Sequence, residues 1–189
     1  MKLAPVMPVV AVSDADLLAQ IAAGTLDALG TLYDRHRDGV RGFLARATYG
    51  HADSDDLVHD VFLTAAKIAA RYDGRASARP WLIGIAARLV QRRARGLGRL
   101  RGLLGRFAST QPRTFDPVVA LETRNTLDAI APVLARMSAA KRVVLLMTEL
   151  EGMTAPEIAR ALEIPIGTVW TRLHTARREL IEVLAEVRR

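Results

Sequence analysis

The sequence predicts an all-α protein: two small helical domains joined by a basic Gly/Arg-rich linker, the C-terminal one a helix-turn-helix domain. Three observations point there. Ala, Leu and Arg are abundant while aromatic residues make up only 5% of the chain, a composition that suits helices and not sheets. Apolar residues recur at helical spacing in both halves. Between the halves the chain turns rich in glycine and arginine and loses its periodicity. Half of the 189 residues are hydrophobic and 25% are charged, the profile of a chain that buries a core.

The expected boundaries are a tail over 1–12, a helical domain over 13–95, a linker over 96–117 and a second domain over 118–189. The tail is apolar, but Lys2 is its only charge, Pro5 and Pro8 break it, and it has no small-residue cleavage signature. Neither signal peptide nor anchor is expected. No other stretch approaches the roughly 18 apolar residues of a spanning helix. The expectation is a cytoplasmic protein without membrane insertion.

Three stripes close the first core. Leu26, Leu29, Leu32, Tyr33, Val40, Phe43, Leu44 and Ala47 form one; Leu57, Val58, Val61, Phe62 and Ala65 a second; Trp81, Leu82, Ile85, Ala86, Leu89 and Val90 a third. Ser54 or Asp53 suits the cap of the second helix, with Asp55 and Asp56 in its first turn, and Pro80 suits the start of the third. The linker carries Gly96, Gly98, Gly102 and Gly105, then Ser109 to Pro112 and Asp116-Pro117.

In the second domain a helix is predicted from about Asp116 to Arg136. Ser138 caps the next, which runs through Val143 to Leu150 and stops at Gly152. Thr154 caps a short helix, Ala155 to Leu162. Glu163, Ile164 and Pro165 make a turn, and a longer helix starts near Ile166. Val169, Leu173, Ala176 and Leu180 share its inner face. Gly167, Thr171, His174 and Arg178 stand opposite, with Trp170 and Arg177 on one flank and Thr168 and Arg172 on the other. Helix, short turn, helix is a DNA-reading unit, and such an outer face reaches base edges and phosphates.

Charge agrees. The net charge is +7 and the pI near 10.7, which favours a polyanionic partner, nucleic acid first. The distribution is uneven: acids outnumber bases between Ser13 and Asp73, whereas Arg88 to Arg113 holds eight arginines and no acid. Without cysteine, disulfides, thiolate metal sites and Cys nucleophiles are excluded. Asp56, His59 and Asp60 have helical metal-ligand spacing but no fourth ligand, and no phosphate-binding glycine loop or nucleophile elbow exists. No catalytic residue, cofactor or metal is expected.

Four segments, Leu32 to Phe43 (LYDRHRDGVRGF), Asp53 to Ala66 (DSDDLVHDVFLTAA), Tyr72 to Leu89 (YDGRASARPWLIGIAARL) and Met137 to Leu180, together resemble the extracytoplasmic-function sigma factors of bacterial RNA polymerase. They follow the family's order and spacing over most of the chain. The resemblance implies that the first domain binds core RNA polymerase and opens the minus-ten element, while the second reads the minus-thirty-five element of promoter DNA. It assigns polymerase binding to Asp55, Asp56, His59, Asp60 and Leu63, and minus-ten contacts to Trp81, Arg88, Arg92 and Arg95. It assigns minus-thirty-five contacts to Thr168, Trp170, Thr171, Arg172, His174, Arg177 and Arg178. An anti-sigma factor is an implied partner. Ala78 stands where the family often has an aromatic, Gly84 and Arg88 where it commonly has a basic residue and an amide, and Trp170 and Thr175 where it is usually basic, so a divergent promoter preference is expected. The rival is a free-standing helix-turn-helix transcriptional regulator, which accounts for Thr154 to Leu180 but leaves the acidic helix and the Trp81 segment without a role.

Overall fold

The computed structural model describes residues 12–48, 54–74, 77–104 and 134–187, and these contain helices and no strand. The first is α1 (Asp14–Ala22), which the sequence reading did not anticipate. Its start is set by a capping box: the Ser13 hydroxyl donates to Asp16 Oδ2 at 2.7 Å and accepts the Asp16 N–H at 3.1 Å. Leu17, Leu18 and Ile21 turn inward. Helices α2 (Leu26–Thr48) and α3 (Ser54–Lys67) follow, the first two stripes of the sequence, with Leu32, Phe43, Leu44, Val58 and Val61 fully buried. Asp53, the alternative cap for α3, and the tail through residue 11 lie outside the described residues.

Helix α4 (Arg79–Leu104) places Pro80 in its first turn, as expected, but extends further than the composition suggested. The linker was expected from Gly96; instead 96–104 is helix, and the remaining 105–117 lies outside the described residues. Glycine costs about 1 kcal/mol per site in a helix interior, a weak preference that intervening Leu and Arg offset. The predicted Asp116–Arg136 helix is likewise undescribed up to residue 133; Leu134 to Arg136 are helical.

The second unit contains α5 (Ala139–Glu149), α6 (Ala155–Leu162) and α7 (Ile166–Val187), with the boundaries that Ser138, Thr154 and Pro165 announced. Thr154 and Glu157 form a capping box, and Gly152 after α5 takes φ +63°, where a side chain would be strained. Arg142, buried, donates to the carbonyls of Leu134 and Met137 at 2.9 and 3.2 Å, fixing the approach to α5. Lys141 pairs with Glu179 and joins α5 to α7.

The two units share one core. Helix α4 packs on α2 and α3 on one side and on α5 and α6 on the other. Its residues Leu82 to Ala87 are therefore buried around the whole helix, including Ile83 and Ala87, which lie outside the stripe read from the sequence.

Candidate nucleic-acid interface

Three surfaces carry the predicted site residues, and the first is the outer face of α3. Burial of Leu57, Val58, Val61 and Phe62 turns Asp56, His59, Asp60 and Leu63 to solvent, with Leu63 55% exposed. Asp55 is drawn aside by Arg41 at 2.8 Å. The His59 ring stacks on Tyr33, centroids 5.8 Å apart. What remains outward is acidic with one apolar residue.

The second surface is a stripe along α4. Trp81, Arg88, Arg92, Arg95 and Arg99 follow one another at intervals of seven, four, three and four residues, so they share a flank. Trp81 is half-buried, packed on the core and edge-to-face with Tyr72 at 5.3 Å. Arg92, Arg95 and Arg99 are exposed. Arg88 is engaged: its Nη1 donates to the Ala161 carbonyl at 2.8 Å and to Glu163 Oε1 at 2.6 Å.

The start of α4 is held by a residue the sequence reading passed over. Asp14, only 5% exposed, accepts the Ala78 N–H on Oδ2 at 2.8 Å, Arg35 Nη1 on Oδ1 at 2.6 Å and His36 Nε2 on Oδ2 at 2.8 Å. Burial pushes this carboxyl up, but the Ala78 N–H, the Arg35 guanidinium and His36 together outweigh it and hold the group below the usual carboxylate range. The signal was Ser13-x-x-Asp16, which marks a helix start. Nothing in the sequence pairs Asp14 with residues 21 to 64 positions away.

The third surface is the outer face of α7. Trp170 is 56% exposed and Ile166 46%; Thr171, His174, Arg177 and Arg178 are exposed as well. Arg177 is tied to Glu149 Oε1 through Nε and Nη2, at 3.0 and 2.7 Å. Arg178 lies 3.6 Å from Glu182, one turn on. Arg172 and Thr168 are half-buried on the flank, and Arg172 Nη1 is covered without a hydrogen-bond partner. Thr171 Oγ1 donates to the Gly167 carbonyl at 2.9 Å.

Comparison with known proteins decides what these surfaces belong to. Residues 32–100 match the family model described as Sigma-70 region 2, and 127–180 match Sigma-70, region 4. The chain is 32% identical over 187 residues to the RNA polymerase sigma factor CnrH of Cupriavidus metallidurans, covering 90% of this chain and 95% of that one. It belongs to the extracytoplasmic-function sigma factors. The RNA polymerase sigma factor CarQ of Myxococcus xanthus is 30% identical over 169 residues, covering 87% of this chain and 93% of CarQ. The solved structure of CnrH in complex with the cytosolic domain of CnrY superposes with a TM-score of 0.57 at 29% identity, covering 92% of this chain and 97% of that one. In this sigma factor the region 2 match takes in α3 and most of α2 and α4, and the region 4 match takes in α5, α6 and α7 as far as Leu180. Among the described residues no helix is long and apolar enough to cross a membrane, and no cluster of three potential metal ligands occurs.

Proposed function

We propose that the chain binds core RNA polymerase through Asp56, His59, Asp60 and Leu63 of α3. It melts and holds the minus-ten element along Trp81 and the arginines of α4, and reads the minus-thirty-five element with α7. The observation that supports this most is the pairing of two unlike surfaces on one chain. One is an exposed arginine row beside an aromatic, which suits an unstacked strand. The other is a helix-turn-helix whose second helix keeps Trp170, Thr171, His174 and Arg178 open for a major groove. The chain contributes binding and strand separation, and the polymerase contributes the covalent chemistry.

The α7 face further favours an apolar reading of sequence. Trp170 and Ile166 suit the C5-methyl of thymine, while His174 and Arg178 take acceptors on bases and phosphates. An anti-sigma factor is the proposed regulator, a reading supported by the capture of the relative CnrH with the cytosolic domain of CnrY. The test is a reconstituted transcription run with bacterial core polymerase on a promoter library from the source genome. Initiation that needs both components is the expected result. Duplex binding by the chain alone, with no polymerase binding, would instead identify a free-standing regulator.

A further inference from the structure

We propose that Asp14 is a positioning residue for strand opening: from α1 its carboxylate fixes the entry into α4, and with it the setting of Trp81 against an unstacked base of the minus-ten element. What Trp81 receives rests on the proposed sigma-factor function; what holds Trp81 rests on the geometry around Ala78. Ala78 immediately precedes α4, and its carbonyl accepts the Leu82 N–H at 2.9 Å, so it is the cap of that helix. A self-sufficient helix start has Ser, Thr, Asp or Asn as the cap and Glu or Gln three residues on, whose side chain reaches back to the N–H of the cap. Here the cap is an alanine and the third residue on is Trp81. Neither side chain can serve. The Ala78 N–H goes instead to Asp14 Oδ2 at 2.8 Å, across a separation of 64 residues. The Asp14 carboxylate thus does for α4 what a Glu at position 81 would do, and leaves that position to an aromatic ring. It also sets a negative charge near the positive end of the helix. The next two positions need nothing from outside, because the Arg79 N–H donates to Ser77 Oγ at 3.2 Å and Pro80 has no N–H.

The carboxylate is itself held in one orientation. Two adjacent residues of α2 bond its two oxygens, Arg35 Nη1 on Oδ1 at 2.6 Å and His36 Nε2 on Oδ2 at 2.8 Å. Arg35 Nη2 also donates to the Val12 carbonyl at 3.0 Å, ahead of α1. Leu17, Leu18 and Ile21 are buried where α1 packs on α2. The place where α4 begins is therefore set by two packed helices. Trp81, half-buried, meets the Tyr72 ring edge-to-face at 5.3 Å, which fixes it from a second side. An aromatic ring ordered in advance binds an unstacked base without an ordering cost of its own, and that advantage falls on the step in which the strands separate.

The test is stopped-flow opening of a promoter recovered from the library run, with 2-aminopurine at an adenine of its minus-ten element and the full chain bound to core polymerase. Titrating the holoenzyme separates the opening rate at saturation from the concentration that gives half of it. A variant that is merely less stable supplies less active holoenzyme and keeps the saturating rate. Every reaction contains trimethylamine N-oxide, at a concentration where circular dichroism shows each variant fully helical. Asp14→Ala is expected to lower the saturating rate about tenfold, the scale of one lost buried hydrogen bond. Asp14→Asn, whose amide oxygen still accepts from Ala78, is expected to stay within about threefold of the parent. Val40→Ala, which removes buried volume from α2 and leaves Asp14 and its donors in place, is expected to change only the half-saturating concentration. A parent-like saturating rate in Asp14→Ala would overturn the positioning role. So would an equal loss of that rate in Val40→Ala, or an Asp14→Asn as slow as Asp14→Ala, since the effect would then belong to stability or to charge and not to the bond at Ala78. A parent chain that gives no initiation with polymerase on the library would overturn the sigma-factor reading, and the positioning role with it.

Discussion

Asp14 is predicted to carry a large share of the stability of the first unit, although it is one exposed-looking acid near the chain start. In Asp14→Ala the buried Ala78 N–H loses its acceptor, which costs about 1–3 kcal/mol. The bond from His36, whose side chain is 10% exposed, adds about 1–2 kcal/mol. Arg35 is 36% exposed, so water screens most of its loss. The expected destabilisation is about 3–4 kcal/mol, a substantial part of the 5–15 kcal/mol typical of a domain. Asp14→Asn, whose amide oxygen still accepts from Ala78, should lose less. The assay is urea unfolding of the full chain followed by helical circular dichroism. The folded carboxyl sits below its ordinary value of 3.8, so its contribution is present above that value and is lost as pH falls through the lower folded one. The gap between parent and Asp14→Ala should therefore be full at pH 7 and shrink below about pH 4. A difference under about 0.5 kcal/mol at pH 7 would refute the reasoning, because that is the scale of an ordinary surface change.

The other surfaces give sharper functional readouts. Asp56→Lys with Asp60→Lys should leave the circular dichroism spectrum unchanged and weaken core polymerase binding tenfold or more, measured by fluorescence anisotropy at low salt; unchanged affinity would remove α3 from the interface. Replacing each upstream thymine in turn by uracil should reveal at least one position where loss of the methyl weakens open-complex formation by the parent but not by Trp170→Ala; equal effects in both would place Trp170 away from the bases. Arg178→Ala should reduce the slope of log affinity against log salt by about 0.9 for upstream duplex bound by holoenzyme, the signature of one lost phosphate contact. Thr154→Val should lower stability by about 1 kcal/mol through loss of the capping box with Glu157, read as a shift in the urea midpoint.

How much of this was legible in the sequence follows from the range of the interactions. Helix starts and stops governed by a local rule were readable: Thr154 with Glu157 three residues on, Pro80 in a first turn, and Gly152 ending α5. The outer face of α7 was readable too, because Val169, Leu173 and Ala176 fix the inner face by themselves, and all three are buried. Helix α1 obeys the same local rule through Ser13 and Asp16 and could have been found. Pairings over long separations could not. The ties of the Asp14 carboxylate to the Ala78 N–H, of Arg79 to Glu151 and of Arg177 to Glu149 each join groups whose pairing depends on the fold, so residues such as Arg177 read as free cations until the structure placed a carboxylate beside them.

Gly84 shows how a local departure can carry a long-range meaning. In sequence it is a poor helix former in the middle of α4, and by propensity alone it costs about 1 kcal/mol relative to alanine. The periodicity of α4 adds a second anomaly, since Ile83 and Ala87 lie off the stripe that packs on α2 and α3. Both anomalies have one cause. A helix sandwiched between two units needs apolar or minimal side chains on both sides, and at the point of closest approach it needs none. A basic residue at 84 would extend the arginine row to Trp81 without interruption, and it would also prevent Ala161 from seating. The glycine leaves a gap in the arginine row where Ala161 of α6 seats, and Arg88, one turn on, is held by the Ala161 carbonyl and by Glu163.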